Sequence, residues 1–546
     1  MSNKSKNKKQ AFKINSAFNI QHSIFRNDWF LPIVSGILII LSQPPVSFLS
    51  IAYISLIPLI YSLKKDDMRR NFFSGFICGI VSYLGLIYWV VIAMNMYGGI
   101  DIFTSFIILL LFVLYLSVYT GAFAFIVSYL VKKLSVPIFI SAPLVWVLLE
   151  YLRSIAFTGF SWSLLAYSQH KFLPLIQVVS VTGPYFISFL IVAVNCIFYQ
   201  IIMGKTKEIE EIKDTEDKRI KIRRLIPVRY SFFIYIAVVA VFFTISLVYG
   251  YGRMNTKDEG NLKAAVIQGN ILQDLKWDEA FKMRIVSTYC RKTLEAGKGA
   301  NLVIWPETAM PFIFNDEIYV NKTIKELASI LKTDLLFGTV TKDNKGRFYN
   351  TAYIYNEAGE LAGNYNKVHL VPFGEFTPLI QYFPFLSSLT AAGGNFSSGE
   401  AHKPIETKTG RIGILICYEG TFPHITNDTV NNGAQVLVNM TNDAWFGKTS
   451  APYQHLAFYV FRAIETDRFV LRAANTGISA IIDPRGRIRQ KTDIFIEDAI
   501  IGKFSLRNGQ TFYVRHGDYF VLIAFLFLAF LCVISSLKFK IKGGKG

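Results

Sequence analysis

GRIGILICYEGTF, residues 410–422, passes from glycine through the apolar run 412–416 directly into Cys417, Tyr418 and Glu419. An apolar run of this length bounded by glycine reads as a buried strand. Its last residue comes out at the carboxyl edge of a sheet, where α/β folds place their ligands. A lone cysteine is ordinarily a small core hydrophobe. A thiol at a strand exit, followed at once by a phenol and a carboxylate, offers more chemistry than a core position needs, so the reading of Cys417 depends on what else converges there.

On either side of this stretch, strand-like and helix-like segments alternate: strands at 262–268, 302–305, 335–340, 349–355, 436–440 and 469–482, and helices near 279–296, 318–332 and 452–467. That alternation predicts a layered α/β domain. Two further motifs stand at the ends of such runs. In LVIWPET, Glu307 follows an apolar strand and Pro306; in NYNKVHLVPFGEF, Lys367 and Glu375 share a turn-rich segment with Pro372 and Gly374. Taken singly, Glu307 reads equally well as a helix cap or surface acid, and Lys367 as a solvated lysine. Together with Cys417 they supply what acyl transfer through a thioester requires: a base, a positive charge for the oxyanion and a nucleophile.

WPET with Glu307, NKVHLVPFGE with Lys367, and CYE with Cys417 resemble the Glu-Lys-Cys triad of the nitrilase superfamily. QGNILQDLKW with Trp277, TNDAWFG at 441–447 and the order of segments extend the resemblance to the apolipoprotein N-acyltransferase family. The resemblance implies a four-layer αββα sandwich, with catalytic Glu307, Lys367 and Cys417 and supporting Trp277, Glu375, Tyr418 and Glu419. It also implies a ping-pong reaction. An acyl chain leaves a membrane phospholipid for Cys417 and passes to the α-amine of a lipoprotein's diacylglyceryl-modified N-terminal cysteine, with no metal or cofactor. Two departures are visible, Phe469 where the family often carries proline and a long 204–229 segment; neither touches the triad.

The chain has 546 residues, 52% hydrophobic and 15% aromatic, too apolar for a purely soluble protein. Segments long enough to cross a bilayer, or nearly so, lie at about 29–47, 48–63, 72–94, 102–131, 137–152, 177–203, 230–250 and 516–537. Eight spans are expected; the first two share a stretch broken by Pro44 and Pro45, which a re-entrant hairpin fits as well. The first run begins after 28 residues without a small-residue cleavage site, so it reads as an anchor. The expected order is a tail at 1–28, seven helices within 29–250, a soluble domain at 254–512, an eighth helix at 516–537 and a tail at 538–546.

Connections at the N-terminal tail, 64–70, 132–133, 204–229 and 538–546 are rich in lysine and arginine, whereas those near 44–50, 95–101 and 153–176 carry only Arg153 and Lys171. Positive loops stay in the cytoplasm. Both termini are therefore expected there, with the domain at 254–512 outside; the resemblance makes this the periplasmic side of a bacterial inner membrane. Much of the +19 net charge is then topological, and no nucleic-acid motif accompanies it. Segment 376–396 and the pair Trp445 and Phe446 look too apolar for solvated loops and suggest substrate access from the membrane.

Cys290 shares a helical stripe with Met283, Val286 and Leu294 and reads as core; no metal-ligand spacing is present. The chain is expected to act as a monomer. Two other readings remain: a membrane-tethered amidase releasing small acids to water, for which one anchoring helix would suffice, and a transporter built around Glu150 and Arg153, a pair that more simply satisfies itself at the interface.

Overall fold

The computed structural model describes residues 29–63, 67–211, 218–256, 258–377 and 395–543, with backbone only for 204–211, 218–231 and 538–543. The N-terminal tail, most of segment 376–396 and the side chains of 204–229 lie outside the described residues.

Among the described residues six helices are long and apolar enough to cross a membrane: Met68–Ile87, Ile102–Lys132, Ile138–Ile155, Tyr185–Met203, Phe232–Met254 and Tyr519–Leu537. The segments expected at 29–47 and 48–63 take a different form. Phe30–Ser42 has 13 residues, about 20 Å at 1.5 Å per residue, and ends just before the prolines, which cannot extend it. The chain then returns through the short helices Leu49–Tyr53 and Ile57–Ser62. Gly183 and Pro184 separate 173–182 from the helix that starts at Tyr185, so the expected 177–203 span begins later. Close approach sets the packing of the two helices with the most extensive contact. A Cβ at Gly75 in Met68–Ile87 would stand 2.2 Å from the Thr120 carbonyl oxygen, so only glycine fits the crossing.

The soluble part contains two sheets. The first has the order β13-β1-β2-β4-β5-β6, with β3 beside β4; these are β1 Leu262–Gln268, β2 Leu302–Ile304, β3 Met310–Ile313, β4 Asp334–Lys342, β5 Phe348–Tyr355, β6 Leu361–Asn366 and β13 Asp498–Phe504. The second runs β12-β11-β10-β9-β8-β7, with β7 Ile405–Glu406, β8 Arg411–Ile416, β9 Val436–Thr441, β10 Val470–Ala474, β11 Ala480–Ile482 and β12 Ile488–Lys491. The expected 469–482 strand is thus two antiparallel strands, β10 and β11.

Alternation along each strand assigns the layers. Ile412, Ile414 and Ile416 of β8 and Val436, Val438 and Met440 of β9 meet Ala264, Val266, Ile304, Leu336 and Ile354 between the sheets. The opposite face of the first sheet packs on helices Lys282–Ala296 and Ile318–Leu331. The opposite face of the second packs on Pro423–Asn431 and Ala451–Thr466. The order is αββα.

Helix Ala451–Thr466 is buried on both sides, because Phe458, Phe461 and Ile464 also belong to the core of the membrane domain. Gln454 makes the polar joint. Its Oε1 accepts from the indoles of Trp89 at 3.2 Å and Trp162 at 2.7 Å, and its Nε2 donates to the carbonyls of Leu86 at 3.1 Å and Pro44 at 3.3 Å. Gln454→Met keeps the volume and strands the Trp162 indole and the Pro44 carbonyl, each worth about 1–3 kcal/mol when buried unpaired, while the Trp89 indole keeps its second acceptor, the Leu86 carbonyl at 3.0 Å. Its thermal midpoint in detergent is expected to fall by several degrees, and an unchanged midpoint would show that the joint carries no stability.

Candidate active site

All three motif residues occupy strand exits. β2 ends three residues before Glu307, β6 ends at Asn366 just before Lys367, and β8 ends at Ile416 just before Cys417. Cys417 has φ of +52°, the left-handed region that a residue with a Cβ adopts at about 1–3 kcal/mol. The turn lifts the thiol out of the strand line, where it packs beside the inter-sheet core. Thr308, at φ +43°, turns the chain sharply after Glu307. That turn passes over β4 only because Gly338 lacks a side chain: a Cβ there would lie 2.6 Å from the Thr308 nitrogen and 2.8 Å from the Glu307 Cα.

Lys367 is 1% exposed. Its Nζ stands 2.8 Å from Glu375 Oε2 and 3.7 Å from Glu307 Oε1. Burial alone would favour the neutral amine, but the carboxylates of Glu375 and Glu307 outweigh it and hold the ammonium well above the usual lysine range. The Asn350 amide, on β5, donates to both carboxylates, at 2.8 Å to Glu307 and 2.9 Å to Glu375. The backbone N–H of Asn442, just past β9, donates to the other Glu307 oxygen at 2.8 Å. Both oxygens of Glu307 therefore have fixed donors, and the carboxylate is aimed.

The Cys417 thiol is pushed far up, first by burial and then by the Glu307 carboxylate, with Lys367 and the nearby Thr441 hydroxyl pulling the other way. At rest it is protonated and needs a base. Behind it the Tyr459 hydroxyl donates to the Cys417 carbonyl at 3.0 Å. Asp443 accepts from Thr441 at 2.9 Å and from Arg472 at 2.6 Å, and pairs with His455 at 3.0 Å. Burial would raise the Asp443 carboxyl, but Arg472 and His455 bring it to about 2.

The supporting residues divide. Glu375 fixes Lys367. Glu419, fully buried, binds the two strand exits together: it accepts from the N–H groups of Val368 at 2.8 Å, His369 at 3.1 Å and Ile416 at 2.7 Å, and from the Tyr365 hydroxyl at 2.8 Å. These four donors meet its charge. Tyr418 packs edge-on to Phe422 and donates to the Gly159 carbonyl of the membrane domain at 3.1 Å. Trp277 is 51% exposed; the contact into the site from its segment is made by its neighbour Lys276, whose Nζ donates to the Glu307 carbonyl at 3.2 Å. Trp445 and Phe446 are half-buried, the first against Tyr97 and the second against Trp89 and Trp162.

Asn350, Asn442, Asp443, His455 and Lys276 were not singled out from the sequence. TNDAWFG carries two of them but draws attention through its aromatic pair, and the lone Asn350 has no local signal. Cys290 and Cys417 are free thiols.

Residues 263–512 match the carbon-nitrogen hydrolase family, the class that two facing sheets between helices define. The structure of Nit3 from Saccharomyces cerevisiae, a nitrilase-superfamily member, is similar at 23% identity, covering 45% of this chain and 92% of its own, with a TM-score of 0.35. Residues 35–197 match the N-terminal domain of apolipoprotein N-acyltransferase. The apolipoprotein N-acyltransferase of Geobacter metallireducens is 38% identical over 95% of this chain and 97% of its own, and that of Pasteurella multocida 28% identical over 90% and 92%. The chain belongs to the apolipoprotein N-acyltransferase family and is a membrane acyltransferase.

The electrostatics give opposite signs for two variants. Glu307→Gln removes a negative charge beside the thiol, so alkylation of Cys417 by iodoacetamide shifts to lower pH. Lys367→Met removes the positive charge and shifts it to higher pH. Peptide mapping of the alkylated protein across a pH series reads both, and shifts of one sign in the two variants would contradict this charge arrangement.

Proposed function

We propose that this chain moves an acyl chain from a membrane phospholipid to Cys417, and from there to the α-amine of a lipoprotein's diacylglyceryl-modified N-terminal cysteine. The observation that carries the reading is the meeting of Glu307, Lys367 and the Cys417 thiol at strand ends that face a membrane domain. In the first half-reaction Glu307 takes the thiol proton and sulfur attacks the ester carbonyl. The Lys367 ammonium stands by the oxyanion. The lysophospholipid oxygen leaves with the proton from Glu307. In the second, Glu307 takes the proton of the attacking amine, the C–N bond forms, and the thiolate departs and is reprotonated. These proton transfers balance with no cofactor.

Glu375, Glu419 and Tyr418 hold and wall this site, with Trp277 at its margin. Trp445, Phe446 and segment 376–396 are read as the walls through which lipids enter. One chain supplies every group, so the enzyme is read as a monomer.

The sidedness follows from charge and parity. Whether the hairpin formed by Phe30–Ser42 and 49–62 crosses twice or not at all, an even number of crossings separates the termini, and the domain at 254–512 lies before the last one. Basic connections then put both termini in the cytoplasm and Cys417 outside. Reporter fusions at 300 and 546 are expected to show opposite sidedness, and the same side for both would refute it.

Incubated with phospholipid alone, the protein should gain the mass of one acyl group on Cys417 and nearly stop; a lipopeptide amine should restart it. Cys417→Ala should gain none. Steady release of free fatty acid without an adduct would instead identify an amidase-like hydrolase.

A further inference from the structure

Lys276 ends the short helix Gln273–Lys276 and is 2% exposed. A lysine is almost never buried without a partner charge. Yet its two hydrogen-bond acceptors among the described residues are neutral: the Glu307 backbone carbonyl at 3.2 Å and the Thr308 hydroxyl at 2.7 Å. Both belong to the turn that aims Glu307, and that turn is strained, with Thr308 at φ +43°. Such a conformation persists only where its surroundings over-determine it. Gly338 admits the turn from below, while Lys276 grips it from the opposite chain segment.

That segment is itself fixed. Asn270 N–H donates to the Asn475 carbonyl, Ile271 N–H to the Asn475 side chain at 2.9 Å, and Gln273 Oε1 accepts from the Asn442 amide at 2.7 Å. Asn442 is the residue whose N–H holds Glu307 from the far side. The lysine therefore closes a ring from Glu307 through Asn442 and Gln273 back to the Glu307 carbonyl. Desolvation lowers its ammonium to about 7, with the Glu307 carboxylate pulling the other way.

We infer that Lys276 is a positioning residue for Glu307: its ammonium clamps the Glu307–Thr308 turn and so fixes the carboxylate toward the Cys417 thiol in both half-reactions. The inference rests on the proposed thioester route. Lys276 touches no reacting atom, and its effect passes through Glu307.

The test uses full-length protein in detergent micelles containing phospholipid, with the acyl adduct on Cys417 followed by mass spectrometry in a single turnover. Lys276→Met is expected to slow adduct formation by roughly 10²-fold, the scale of a misaimed base, with the half-saturating phospholipid concentration unchanged. Lys276→Arg, which restores a charged donor, is expected to recover most of the rate. In a Glu307→Gln background Lys276→Met should add no further loss, because residues acting as one unit are non-additive.

A K276M rate within about twofold of the parent, or the full loss repeated on top of E307Q, would overturn the inference; the second result would mark a purely structural lysine. If K276M fails to fold, Thr308→Val serves. It removes one clamp acceptor and is expected to slow adduct formation several-fold, and an unaltered rate would equally overturn the clamp. If the parent enzyme forms no adduct, the thioester reading fails and this inference falls with it. If the parent forms the adduct and the variants match it, only the role of Lys276 is lost.

Discussion

A lysine ammonium buried at the ends of two sheets cannot be left alone, and much of the catalytic half is arranged so that Lys367 is not. Two carboxylates stand against it, Glu375 and Glu307, and each of those must in turn be held, or its own charge would be stranded. Asn350 divides its amide between them. Asn442 supplies a backbone donor. Glu419, itself fully buried, ties the segment just after Lys367 to the strand that delivers Cys417. Remove Glu375 or Asn350 and a charge loses a partner in a low-dielectric interior, where unpaired charge is expensive. Burial first, and then the Glu307 carboxylate beside it, hold the Cys417 thiol in its protonated form, against the pull of Lys367.

The strain at Cys417 and Thr308 belongs to this arrangement. Both residues sit where a strand must turn abruptly to place one functional group, and both adopt backbone angles that side chains disfavour. Tyr459 holds the Cys417 carbonyl, Lys276 holds the Glu307 carbonyl, and Gly338 leaves room. Backbone conformation is thus set by side chains from distant parts of the chain.

That distance explains what could be read in the sequence and what could not. Apolar runs at 262–268, 412–416 and 436–440 declared their strands because hydrophobic burial follows a local period. Glu307, Lys367 and Cys417 were legible because each ends such a run beside proline, glycine or a second polar residue. Asn350 lies mid-strand in FYNTAYIY with nothing around it to distinguish an amide that bridges two carboxylates from one facing solvent. Glu419 offered only a charge; that it gathers four donors depends on where residues 365–369 arrive in space. The apolar stretch 29–63 does not tell one long helix from a hairpin of short ones, because only the prolines at 44 and 45 mark where helical geometry stops. The 469–482 run concealed a reversal at 475–479, since burial on both sides of the turn kept the composition apolar.

Helix Ala451–Thr466 contributes to the cores of both halves of the molecule: Tyr459 and Ala463 face the second sheet, while Phe458, Phe461 and Ile464 face the transmembrane bundle. Adjacent residues on it divide the same way, Gln454 joining the bundle and His455 the network behind the thiol. The chain is therefore two units in its topology and one in its cohesion. Excised at the point where it leaves the membrane, the catalytic portion would bare an aromatic face with nothing to cover it. The wall behind Cys417 is thus also the floor of the bundle, and neither half has a complete core without the other.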